Sequence, residues 1–106
     1  VELSALVARG NPLGAGATLP VFCLYVVRCE RRDALAEHLK RHGIGTAVYY
    51  PAPVHRQPAY ARRETTVPLT VSEKASSEVL ALPMFPDLAA AEQDRVIDAV
   101  RRFFAA

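Results

Sequence analysis

Apolar positions along the chain fall into two kinds of run. Val21 to Cys29 (VFCLYVVRC) is almost continuously apolar, β-branched and aromatic, the pattern of a strand covered on both faces. Ile44 to Tyr50 and Val79 to Leu82 are shorter runs of the same kind, the last stopped by Pro83 and Pro86. Between them the period becomes helical. Arg32 to His42 (RDALAEHLKRH) sets Leu35 and Leu39 one turn apart, with Asp33 near the start, basic residues in the last turn and Gly43 just after. These start and stop signals complement a helix dipole. Thr70 to Glu73 (TVSE) has the form of a capping box and opens a second helix reaching about Glu78. Asp87 is expected to cap a third, running to about Phe104, with Val96, Val100 and Phe103 on one face and Ile97 and Phe104 beside them.

The order β-α-β-loop-α-β-α predicts an α+β fold: a small three-stranded sheet with about three helices on one face, opening with a β-α-β unit. If the first strand is apolar on both faces, one face of the sheet is left open and needs a neighbouring domain or subunit. Val1 to Ala8 reads as the end of a helix that begins with neither methionine nor cap, as expected of a chain cut from something longer. Gly10 to Pro20 is a Gly/Pro-rich connector without the flanking strand and helix of a phosphate-binding glycine loop. Residues 1–18 are therefore assigned to a connecting segment and 19–106 to one domain.

Gly43 to Tyr60 (GIGTAVYYPAPVHRQPAY) is the stretch around which the rest is organised. Pro51, Pro53 and Pro58 each fix φ, lack an N–H and push their predecessors towards extended backbone, so a stiff loop is expected. It carries Tyr49, Tyr50, His55, Gln57 and Tyr60, groups that hold ligands when a scaffold presents them. Tyr49 and Tyr50 are adjacent at a strand end, which predicts opposite faces, one ring inward and one hydroxyl at the sheet edge. His55 is open to two readings: a general base or anion contact, or a loop histidine bonded to backbone.

Composition narrows the chemistry. A chain of 106 residues that is half apolar suits one ordinary globular domain. No apolar run reaches the ~18 residues that span a bilayer, and the start lacks the layout of a secretory signal, so the cytoplasm is the expected compartment. Net charge is +2, with basic pairs scattered at Arg31–Arg32, Lys40–Arg41, Arg62–Arg63 and Arg101–Arg102, unlike the single basic face of a nucleic-acid binder. Arg62 to Thr66 reads as an exposed polar excursion. Cys23 and Cys29, six apart in one strand, stand roughly 20 Å apart and are expected to be reduced and buried. His38 and His42 are half of a zinc pattern with no second pair, so no metal site is assigned. The two lysines, Lys40 and Lys74, fall on helix surfaces without the apolar surroundings that activate an amine. No catalytic residue is assigned.

The loop sequence, a proline and a glutamate some dozen residues on, then VLALPMFPDL and a final amphipathic helix together resemble the carboxy-terminal part of the DegT/DnrJ/EryC1/StrS aminotransferases, from about Leu19 to Phe104. That family uses pyridoxal phosphate to aminate nucleotide-linked keto-sugars or cyclitols. The resemblance implies a small domain whose large, cofactor-binding partner domain is absent, so that this chain alone binds no pyridoxal phosphate. It implies a homodimeric parent. It also implies that Tyr49 and Tyr50 lie near the substrate diphosphate, with His55 and Gln57 on the same loop at the mouth of the site. Tyr49 stands where histidine is common in the family, and Ala89 where many relatives have a serine or threonine cap. Two other readings compete: a stand-alone ACT-like or ferredoxin-like small-molecule module, suggested by the β-α-β start, and an RNA-binding module, suggested by the basic pairs.

Overall fold

In a computed structural model the chain is described over residues 23–60 and 67–105. The elements are β1 (Tyr25–Arg28), α1 (Arg32–Arg41), a 3-10 turn at Val54–Arg56, α2 (Thr70–Glu78), β2 (Val79–Leu82) and α3 (Ala90–Ala105). The connecting segment, the first two residues of the expected first strand and the polar excursion at 62–66 lie outside the described residues.

The sheet has two strands among the described residues where the apolar pattern predicts three. β1 and β2 pair antiparallel, with Val27 opposite Leu80 and Tyr25 opposite Leu82. The stretch from Ile44 to Tyr50 contracts to one antiparallel bridge, in which Ala47 and Ala81 exchange backbone hydrogen bonds at 3.2 and 2.7 Å. Ala81 also faces Val26, so β2 lies between β1 and residue 47. The crossover through α1 therefore joins two segments that are not neighbours, and β2, some fifty residues later, fills the gap. Local periodicity marks a segment as extended but carries no information about its partner. Gly45 and Pro51 bracket the stretch and shorten its ladder.

Leu35 and Leu39 of α1, Leu80 of β2, Ala99 of α3, Cys29 and Ile44 form the buried core, with Val27, Val48, Leu82, Val96, Val100 and Phe103 packed against it. α1 and α3 thus cover one face of the sheet. α2 contributes nothing to this cluster: its buried residue is Glu78. That carboxylate accepts from Nε and Nη2 of Arg28 at 3.1 and 2.5 Å, which satisfies a charge that would otherwise be costly to desolvate. The expected layer of three helices is accordingly two helices plus a third at the flank. On the other side of the sheet Leu24 is 43% exposed and Val26 and Val79 are half-buried. Cys29 is free and buried as expected, but Cys23 is exposed, because the strand begins only at Tyr25, which corrects the expected burial of Cys23 alone.

Helix ends use few side-chain caps. α1 closes as predicted: Gly43, at φ +71, donates to the carbonyl of Lys40, and Ile44 donates to that of Leu39. Only glycine enters this left-handed conformation cheaply. The expected capping box on α2 is not formed. The helix begins at Thr70 with Leu69 as its cap, one residue too early for Thr70 and Glu73 to pair. The cap of α3 falls at Ala89, whose N–H donates to the Glu92 carboxylate at 3.0 Å, and not at Asp87. Arg32 donates to the carbonyls of Ser76 and Val79 at the end of α2, and Arg31 lies 4.6 Å from the Phe103 ring centre. One of the scattered basic pairs is thereby engaged in holding the fold together.

Candidate functional site: the Gly43–Tyr60 loop

Val48, against the core, and the Ala47 bridge anchor the incoming chain, after which the loop leaves the sheet. Tyr49 and Tyr50 come next, 45% and 69% exposed. Their rings meet edge to face at 5.8 Å, so neither is the inward-packed residue that strand alternation predicts. Two large aromatic surfaces and two hydroxyls are presented together. Pro51 follows, and Pro53 enters the 3-10 turn in extended backbone at φ −66 and ψ 157. The turn is closed by Arg56 donating to the Pro53 carbonyl at 2.9 Å, Gln57 to Val54 at 3.1 Å and Tyr60 to Gln57 at 2.9 Å.

His55 is bonded to a side chain and not, as one of the two readings had it, to backbone. Its side chain is only 13% exposed, and Nε2 donates to Glu73 Oε1 in α2 at 3.0 Å. Arg56 donates to the same oxygen from Nε at 3.0 Å and from Nη2 at 2.8 Å. These donors hold the Glu73 carboxyl below the usual carboxylate range, the His55 hydrogen bond contributing most and Arg56 next. Glu73 was hidden from sequence reading because its spacing to Thr70 suits a local cap. The signal present was a histidine and an arginine consecutive in the loop and one glutamate at the start of the next helix.

The structure brings Tyr49 and Tyr50 together, leaves Gln57 exposed beyond the turn and turns His55 inward. Among the described residues no hydrogen bond joins either tyrosine to His55 or Gln57. What the loop offers outward is a set of donors and acceptors, the phenols of Tyr49, Tyr50 and the likewise exposed Tyr60 and the Gln57 carboxamide, beside the Arg56 guanidinium that Glu73 holds, suited to a ligand rich in hydroxyl and phosphate oxygens. An apolar groove of about 430 Å³ between the sheet and α3, lined by Tyr25, Val27, Leu82, Met84, Val96 and Val100 among others, lies apart from these residues. His38 and His42 serve the helices: His38 Nε2 donates to the Ala99 carbonyl at 3.0 Å and His42 Nδ1 to the His38 carbonyl at 2.8 Å. Among the described residues no three His, Cys, Asp or Glu side chains are grouped to hold a metal ion, and no helix is long and apolar enough to cross a membrane.

Residues 9–101 match the description of the DegT/DnrJ/EryC1/StrS aminotransferase family. The chain belongs to that family. It is 44% identical over 104 residues to the dTDP-3-amino-3,4,6-trideoxy-alpha-D-glucose transaminase of Streptomyces venezuelae, covering 95% of this chain and 27% of that protein. Over 82 residues it is 38% identical to the UDP-2-acetamido-2-deoxy-3-oxo-D-glucuronate aminotransferase of Pseudomonas aeruginosa, covering 77% of this chain and 22% of that one. The solved structure of S. venezuelae DesV superposes with a TM-score of 0.73 at 39% identity over 92% of this chain and 28% of that one. A family aminotransferase from Brucella abortus superposes equally, at 36% identity over 84% of this chain and 26% of its own. The chain thus spans about a quarter of the length of these relatives.

The two lysines test whether this part of the family fold suits pyridoxal phosphate. Lys40 is exposed on α1, and Lys74 is exposed on α2 with Nζ 3.7 Å from Glu78. Neither is desolvated, so neither fits the role of an amine that anchors the cofactor.

Proposed function

We propose that this chain is the small, carboxy-terminal domain of an aminotransferase acting on a nucleotide-linked keto-sugar or cyclitol, and that Tyr49, Tyr50 and Gln57 touch the substrate from the Gly43–Tyr60 loop. Residues 19–106 form that domain, and 1–18 lead into it. The observation that carries the reading is the exposed tyrosine pair, projected from the sheet on a proline-stiffened loop. A nucleotide-sugar presents a diphosphate and several hydroxyls, and preformed neutral donors orient such a ligand with little ordering cost. His55 contributes from inside the loop, by holding it to α2. The names of the relatives, transaminases of dTDP- and UDP-linked sugars, support the substrate class.

Pyridoxal phosphate would carry the amino group in the parent, held by the large domain that makes up the remaining length of the relatives. This chain's part is to bind and orient. Leu24 and the half-buried Val26 and Val79, on the open side of the sheet, are the surface we assign to that domain. The parent is read as a homodimer, as the family resemblance implies, and as cytoplasmic, as the sequence pattern suggests.

Kinetics of the full-length enzyme test the reading. Tyr50→Phe, which deletes one donor to a charged ligand, is expected to raise KM for the nucleotide-sugar roughly tenfold with kcat little changed. An unchanged KM in both Tyr49→Phe and Tyr50→Phe would remove the loop from the site.

A further inference from the structure

Between Tyr49 and Tyr60 the loop has short-range backbone bonds of its own, and among the described residues its only hydrogen bonds to another element go to Glu73. A single carboxylate oxygen collects three of them from two consecutive residues, His55 and Arg56. The spacer back to the tyrosine pair is Pro51-Ala52-Pro53, where both prolines fix φ. A stiff spacer transmits position, so fixing the turn at Val54–Arg56 fixes the end at which Tyr49 and Tyr50 stand.

A second observation comes from α2 itself. Its N-terminus has no side-chain cap, although a glutamate is present in its first turns. With the helix starting at Thr70, Glu73 lies one residue past the capping position, and its carboxylate is committed to the loop.

We infer that Glu73 is a positioning residue for substrate binding, its carboxylate clamping His55 and Arg56 so that the tyrosine end of the loop is held at the ligand. This rests on the reading of the loop given above. Glu73 touches no substrate in this account; it acts through the turn and the proline spacer. Displacements of about an ångström in such supporting groups are enough to weaken a site severalfold or more.

The test uses the full-length protein and the dissociation constants of dTDP and UDP, the nucleoside diphosphates in the relatives' names. Glu73→Ala is expected to weaken whichever of these the wild type binds by about tenfold. Glu73→Gln, which keeps an acceptor oxygen for the same donors, is expected to recover most of that loss. Arg56→Ala removes the clamp from its exposed side, so it should weaken binding too, and combining it with Glu73→Ala should add little. A role limited to stabilising α2 would lower Tm and leave both dissociation constants unchanged, which overturns the inference. Should Glu73→Ala fail to fold, an unaltered affinity in Arg56→Ala does the same. Loss of affinity in Tyr50→Phe without any in the Glu73 and Arg56 variants removes the clamp and leaves the loop's substrate role standing. A wild type that binds neither nucleotide, or tyrosine variants that bind as well as wild type, overturns both.

Discussion

The backbone N–H of Ile44 donates to the carbonyl of Leu39 at 3.0 Å, and both side chains are buried in the core. The end of α1 and the start of the Gly43–Tyr60 loop are therefore one packed unit, joined through Gly43 in a left-handed conformation. A Cβ at Gly43 would be strained by φ and would also come within 3.2 Å of the Arg95 guanidinium, which donates to the His42 carbonyl. Gly43→Ala is expected to cost at least about 1 kcal/mol in chemical denaturation. A variant as stable as the wild type would show that the turn relaxes into another conformation.

Leu39 is fully buried where α1, α3 and β2 meet. Leu39→Ala is expected to destabilise the domain by about 2 to 5 kcal/mol, through lost transfer energy and the cavity left behind. Urea denaturation measures this, and a loss below 1 kcal/mol would mean that the core collapses into the space.

Glu78 is almost buried, and Arg28 supplies two of its hydrogen bonds. Arg28→Ala leaves that carboxylate with only Lys74 at 3.7 Å, and a loss of about 1 to 3 kcal/mol follows. Glu78→Gln, which keeps an acceptor and removes the buried charge, should cost less. The same cost for the two variants would argue that desolvating the charge is not the issue.

Glu73 carries the pH dependence. Its carboxyl titrates below the ordinary carboxylate range in the folded chain because His55 and Arg56 donate to it. Its contribution is therefore complete above the pKa of an unfolded glutamate and is lost as pH falls through the lowered folded value. Protonation removes the charge that strengthens both hydrogen bonds, so the loop is expected to loosen in part in acid. Carbon-detected NMR titration of the Glu73 carboxyl should give a midpoint below that of an exposed glutamate, and the Arg56→Ala variant should move it upward. An ordinary midpoint in the wild type would contradict the clamp.

Much of the scaffold is legible in the sequence. α2 and β2 span the ranges assigned from the capping motif and the bracketing prolines, and the stop at Gly43 was legible because only one residue type suits that conformation. The pairing of the strands was not legible, since β2 inserts between two segments that local pattern would place side by side. The site was half legible. Proline spacing announced a stiff loop, and Tyr49 and Tyr50 are exposed on it, yet nothing local distinguishes a glutamate that caps its own helix from one that reaches a turn eighteen residues upstream. Thr70 made the local partner look sufficient, and a one-residue shift in the helix start released Glu73 for the distant one.

Hydrogen exchange on the full-length protein, with and without the nucleoside diphosphate it binds, tests the central claim most directly. The account predicts that ligand slows exchange at the amides of Tyr49, Tyr50 and Val54 to Gln57. Protection confined to other parts of the protein, with these amides exchanging as fast as in the free enzyme, would contradict it.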